Sequence, residues 1–169
     1  MIGNGKGRTT PSATYRVEVT PKTGFSDPAG ASVLAQLPTL GVQTATEVRV
    51  GTLYEIAGPL SLSQLHSAAQ GLLADPITQD FIVSADAHRP NGASAPYWRI
   101  EVWLKRSVTD PAGESVRKAV TDLGLPAPER VRCGTVYRIF GRVHQAQAEK
   151  IAVKLLANPV VHQYSVAPS

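Results

Sequence analysis

Val131-Arg132-Cys133-Gly134-Thr135-Val136-Tyr137 repeats, 83 residues later, the earlier stretch Val48-Arg49-Val50-Gly51-Thr52-Leu53-Tyr54. On either side of these blocks the repeat continues: residues 15–85 align with residues 98–168 without a gap, and 26 of the 71 pairs are identical. An internal repeat decides the architecture before any local pattern does. The chain is therefore one unit of about 70 residues written twice.

The pattern of each repeat predicts a β-α-β-α-β unit. Apolar and charged residues alternate in Tyr15–Val19 and again in 98–104, as in a strand with one buried face. Asp27-Pro28 and Asp110-Pro111 combine an N-cap with proline at the first helical position, and we expect the first helix to be kinked or shortened by Pro38.

The second half of each repeat predicts a long strand followed by a helix. Val48, Val50, Tyr54 and Ile56 all fall at alternate positions without a break, which favours one strand over 47–57 that bends at Gly51. A hairpin with Gly-Thr as its turn is the alternative. The next helix begins at Ser61, with Leu62, Leu65, Ala69, Leu72 and Leu73 on its buried face, and Asp75-Pro76 ends it. A third, short strand follows.

The predicted fold class is α+β, with two tandem modules, each a small antiparallel sheet carrying two helices on one face. The expected boundaries are a flexible tail at 1–14, a module at 15–85, a linker at 86–97 and a module at 98–168. Because a unit this small leaves its second sheet face open, we expect the copies to pack or pair strands about a pseudo-twofold axis.

Charge separates the two copies. Residues 15–85 carry three Lys/Arg and six Asp/Glu, a net −3, whereas residues 98–168 carry eleven and six, a net +5. Opposite net charges favour docking of the two halves. The whole chain, at +4, hints only weakly at an acidic partner or nucleic acid.

The residue types give no catalytic constellation. The four histidines, His66, His88, His144 and His162, neither repeat nor stand at metal-ligand spacing, and Cys133 aligns with an inward-facing valine. We therefore expect no catalytic residue, no metal and no cofactor. No apolar run is long enough for a membrane span, and no signal sequence is present, so a cytoplasmic protein is expected.

Arg49 and Arg132 are the most informative polar pair. Both stand beside the repeated glycine, at the alternate positions of a mostly apolar strand that are expected to face solvent. They are read either as ordinary surface charges or as polar anchors in a protein interface.

The ordered set of motifs resembles the PurS family. It includes Thr109-Asp110-Pro111-Ala112-Gly113, Val131-Arg132-Cys133-Gly134 and the run from Lys154 to Tyr164, with the matching blocks of the first copy. PurS is the small subunit of phosphoribosylformylglycinamidine synthase in purine biosynthesis. The resemblance implies a non-catalytic subunit of a ligase that assembles as a dimer and bridges the synthetase and glutaminase subunits.

The tandem chain resembles such a dimer joined in one polypeptide, with further self-association left open. Where the family has lysine after Val-Arg-x-Gly this chain has Thr52 and Thr135, and the acidic residue before the last aromatic is Asp80 in one copy but Gln163 in the other. The partner-binding candidates are Arg49, Arg132, Asp80, His162 and Gln163. The alternatives are a tandem small-molecule-sensing domain and, less favoured, a nucleic-acid-binding α+β domain.

Overall fold

The computed structural model describes residues 12–85 and 95–169. The first repeat contains β1 (Ala13–Pro21), α1 (Pro28–Gln36), a 3₁₀ turn (Leu37–Leu40), β2 (Ala45–Gly58), α2 (Leu62–Ala68), a π turn (Ala69–Leu73) and β3 (Gln79–Ala85). The second contains β4 (Tyr97–Leu104), α3 (Pro111–Asp122), β5 (Arg130–Gly141), α4 (Gln145–Ile151), a π turn (Ala152–Leu156) and β6 (His162–Pro168). The predicted tail and linker fall largely outside the described residues, although Ala13 and Thr14 belong to β1 and Tyr97 to β4.

One antiparallel sheet of six strands, in the order β3-β1-β2-β5-β4-β6, runs through both repeats. Its centre is the long pairing of β2 with β5, in which Thr52 lies opposite Thr135. These two threonines are equivalent in the repeat, so the pseudo-twofold axis passes between them. The expected strand pairing of the copies is confirmed, and β2 is one continuous strand and not a Gly-Thr hairpin.

The repeated Asp-Pro-Ala-Gly block docks a helix closely onto the sheet. The Asp110 carboxylate accepts hydrogen bonds at 2.8 Å from the Gly113 N–H, which caps α3, and from the Cys133 N–H of β5. Asp27 makes the same two bonds in the first copy. A Cβ at Gly113 would lie 2.2 Å from the Val131 carbonyl oxygen, so only glycine permits this approach.

Other local predictions hold or fail for identifiable reasons. Pro38 does shorten the first helix, which gives way to the 3₁₀ turn. The capping box of Ser61 with Gln64 is present. The predicted burial of Leu65 and Ala69 is confirmed, and Leu73 packs against the same core. The predicted burial of Leu62 and Leu72 is wrong, since they are 48% and 38% exposed; Leu62 is the first residue of α2, and Leu72 lies in the π turn, which changes the helical register.

The helices lie on one face of the sheet over two hydrophobic clusters, and each cluster contains residues of both repeats. One joins Leu37 and Val42 after α1 to Ile100 of β4 and Ile151 of α4. The other joins the β1 and α2 side chains to Val120 of α3. Because neither repeat completes its core alone, the two halves are one folding unit.

Candidate partner-binding surfaces

Arg49 and Arg132 lie on the helix-free side of the sheet, here called the open face, and play the same structural part in the two copies. Arg49 donates to the Pro21 carbonyl oxygen at 2.9 Å, and Arg132 donates to the Leu104 carbonyl oxygen at 3.0 Å. Pro21 and Leu104 are equivalent positions at the ends of β1 and β4. Of the two readings of these arginines, that of ordinary, fully solvated surface charges does not fit their environment, because the side chains are only 22% and 12% exposed.

The other candidate residues lie at the outer strands of the sheet. Asp80 of β3 and Gln163 of β6 occupy equivalent positions, and both are exposed. His162 has a local function, since its Nδ1 accepts the Asn158 N–H at 3.0 Å, as the Gln79 side chain does for the Asp75 N–H. The structure thus leaves Asp80 and Gln163 accessible and keeps them apart, at opposite edges of the sheet.

An ion-pair network crosses the seam between the repeats on the open face. Arg99 of β4 reaches Glu18 of β1 at 2.7 Å, and its pseudo-symmetric counterpart joins Arg16 to Glu101 at 3.2 Å. Arg99, Glu18 and Glu101 are only 4–5% exposed. Arg99 also pairs with Glu101 of its own strand at 2.9 Å, so the buried charges are compensated both across the seam and within the second repeat.

Electrostatics keep this network ionised. Burial alone would raise the pKa of Glu101, but the charges of Arg99 and Arg16, with hydrogen bonds from Arg99 and Trp103, outweigh burial and lower the pKa. The Trp103 indole lies over Gly134, where an added Cβ would meet the ring at 2.6 Å, and Arg16 and Arg132 both stack on it.

The symmetry of the network is broken at one pair of equivalent positions, Glu55 and Arg138. Glu55 binds Arg132 across the seam at 3.4 Å, and Arg138 binds Glu18. In a dimer of identical chains these positions would carry the same residue. The tandem chain places opposite charges there, which turns a symmetric contact into two different ones.

A groove crosses the helix side of the sheet at the pseudo-twofold axis. Its two halves, about 540 Å³ and 370 Å³, share Thr52 and Thr135 and extend toward Asp27 in one direction and Asp110 in the other. Cys133 lines the second half, and burial, aided by the Asp110 charge, raises the pKa of its thiol to about 12. The thiol is therefore protonated near neutral pH and is a poor nucleophile.

The described residues hold no cluster of three or more His, Cys, Asp or Glu side chains suited to a metal ion. Of the histidines, His66 packs edge-on against Phe81 and the His144 N–H is bonded by Gln147, while His88 lies outside the described residues. Within 12–85 and 95–169, no helix is long and apolar enough to cross a membrane.

Comparison with known families gives a double match. The sequence model of PurS, described as phosphoribosylformylglycinamidine (FGAM) synthase, matches residues 14–87 and again 97–169. The chain belongs to the PurS family. Members are subunits of an enzyme of purine biosynthesis, and this chain contains two copies of the family unit.

Individual PurS proteins align with one repeat at a time. The phosphoribosylformylglycinamidine synthase subunit PurS of Archaeoglobus fulgidus is 38% identical over 72 residues, which is 90% of that protein and 40% of this chain. Solved PurS structures from Thermus thermophilus and Methanocaldococcus jannaschii are 35% and 25% identical. Each match covers 44% of this chain and 95% of the other, with a TM-score of 0.36.

Sequence reasoning missed the seam network. Its members are the charged residues of the open-face parity: Arg16, Glu18, Glu55, Arg99, Glu101 and Arg138. Alternating charges in a strand normally indicate a solvated face. Two features of the sequence could have indicated it. Arg-x-Glu occurs at the same place in both repeats, and the position of Glu55 in the first repeat is occupied by Arg138 in the second, so each repeat offers charges of both signs to the other.

Proposed function

We propose that the chain is a non-catalytic bridging subunit of phosphoribosylformylglycinamidine synthase. It joins the ATP-dependent synthetase subunit to the glutaminase subunit during the amidation of formylglycinamide ribonucleotide. The observation that carries the proposal is the continuous six-stranded sheet in which two PurS units share both hydrophobic clusters and the buried ion pairs. A rigid body of this kind can hold two partners at a fixed separation.

The chemistry of the described residues suits an assembly role. The thiol is protonated, the aspartates of the repeated motif are used in capping, and the buried acids are neutralised by arginines. None of these groups is poised as a general base or nucleophile. Ammonia released at one subunit and used at another needs a short, protected route, and a bridge supplies the required alignment.

The two repeats offer the partners different surfaces. Equivalent outer positions carry Asp80 in one copy and Gln163 in the other, and the net charges of the copies differ in sign. We assign one partner to each end of the sheet, with Asp80 and Gln163 as contact candidates. Arg49 and Arg132 contribute indirectly, because they hold the ends of β1 and β4.

The assembly experiment mixes purified synthetase and glutaminase subunits with and without the chain, in the presence of glutamine and nucleotide. Size-exclusion chromatography with light scattering should give a three-component complex only when the chain is present. A stable complex of the other two subunits that excludes the chain would contradict the bridging role. An Asp80→Lys variant, matched by Asp122→Lys on the exposed side of α3, reports whether the outer strand contributes.

A further inference from the structure

The cationic side chains without a partner are concentrated in one repeat. Within the described part of the chain, every cation of the first repeat is bonded: Arg16 to Glu101, Lys22 to the Pro76 carbonyl oxygen at 2.7 Å, and Arg49 to Glu47. In the second repeat several cations bond to no other described side chain or carbonyl group. They are Lys105, Arg106, Arg130, Arg142 and Lys154.

Three of these cations line a single depression of about 410 Å³ between the end of β4, the start of α3 and the start of β5. Lys105, Arg106 and Arg130 lie around it, and its apolar lining includes Val108 and Val131. It is here called the basic pocket. Unpaired cations around an apolar floor are suited to a chain segment that offers both carboxylates and an aliphatic or aromatic side chain.

The equivalent place in the first repeat is less basic. Thr23 stands where the second repeat has Arg106, and Glu47 where it has Arg130. Glu47 is also paired with Arg49 at 3.3 Å. The difference in net charge between the repeats is therefore partly localised at this position.

We propose that the basic pocket is the docking site for an acidic segment of one of the two partner subunits, so that the second repeat binds that subunit and the first does not. This inference rests on the proposed function and deepens it, because it gives the bridge a direction. Charge complementarity selects the occupant: a basic rim attracts an acidic partner and repels a basic one.

A polypeptide suits the pocket better than a small phosphate compound. The carboxylate of Asp110 already occupies the amide groups of Gly113 and Cys133 that could otherwise bind an anion. Glu114 also lines the pocket, and Arg106 and Arg130 are exposed at its rim. These charges are spread along a surface and not converged on one point.

The test compares two charge-matched double variants of the full chain. Arg106→Glu with Arg130→Glu reverses the pocket, and Arg142→Glu with Lys154→Glu reverses two unpaired cations outside it. Because all four side chains are exposed, both variants should fold with unchanged thermal unfolding. Calorimetry then measures the affinity of each variant for the synthetase and the glutaminase subunit separately.

The pocket variant should bind one subunit at least about tenfold more weakly, with a reduced salt dependence, and bind the other normally. The control variant should keep both affinities within about twofold. If both variants bind a subunit equally weakly, or if neither binds more weakly than the wild type, the proposal that the basic pocket is the docking site is wrong. Stabilisation of the wild type by inorganic phosphate or ATP that is lost in the pocket variant, with unchanged subunit affinity, assigns the site to a small anion and overturns the proposal. If the wild-type chain binds neither subunit, the bridging function itself is wrong.

Discussion

Replacing Glu18 by glutamine tests whether the two repeats are held together through buried charges. Glu18 is 5% exposed and is bonded to Arg99 and Arg138, both from the other repeat. The substitution keeps the shape of the side chain and removes only its charge. It leaves two arginines facing an uncharged group at the seam.

The magnitude follows from what each arginine can do afterwards. Arg138 is 20% exposed and can turn toward water, whereas Arg99 is 4% exposed and retains only Glu101. Breaking a buried ion pair by removing one partner costs about 3–5 kcal/mol. Because only Arg99 stays buried without its partner Glu18, we expect Glu18→Gln to cost about 3 kcal/mol, near the lower end of that range. With a urea slope of about 2 kcal/mol/M, the midpoint should fall by about 1.5 M.

Urea denaturation followed by circular dichroism measures this shift directly. The matched control is Glu114→Gln, which makes the same chemical change in an exposed pair with Arg117 and should alter stability by less than about 0.5 kcal/mol. If the two variants had equal midpoints, the network would contribute nothing beyond surface charge, and the account of the seam would be wrong.

Three further predictions concern packing, acid stability and thiol reactivity. Gly113→Ala should destabilise the fold by more than about 1 kcal/mol in thermal unfolding despite alanine's better helix propensity, because its Cβ would meet the Val131 carbonyl; Gly71→Ala, with no atom within 4 Å, should be neutral or stabilising. The pKa of Glu101 in the folded chain is lowered below its ordinary value of 4.5, so the ionised carboxylate contributes fully to the free energy of unfolding above pH 4.5, and this contribution is lost as the pH falls through the folded pKa. The Glu101→Gln variant should therefore lose less stability than the wild type when both are titrated below about pH 4.5. The Cys133 thiol, with a pKa near 12, should react with a disulfide reagent at pH 8 far more slowly in the folded chain than in urea, and equal rates would contradict its burial.

Local structure was predictable wherever one physical signal decided it. Parity through Gly51 predicted a single strand, and proline within a helical pattern predicted the break after Gln36. Only one of the two hydrogen bonds of Asp110 was predictable. The capping bond is local, whereas the second bond joins Asp110 to Cys133 of β5, 23 residues away. Local patterns specify an element and its face but not the element it meets.

The arrangement of the two repeats was predictable only in outline. The need to cover an open sheet predicted that the copies associate about a pseudo-twofold axis, and the family resemblance implied that the pair corresponds to a dimer. Nothing in the spacing indicated that Leu37 of one copy would pack with Ile151 of the other, or that Arg99 would pair with Glu18. These contacts depend on strand pairing across the seam, which is set by long-range docking and not by local sequence.

The bridging account is tested most directly by comparing two nitrogen sources in a reconstituted reaction. The synthetase and glutaminase subunits are held at fixed concentration, the chain is titrated in, and amidine formation is followed with glutamine or with ammonium chloride. The account predicts that glutamine-dependent turnover rises with the chain to a plateau, while ammonia-dependent turnover by the synthetase is the same with or without it. Full glutamine-dependent turnover in the absence of the chain would contradict the account.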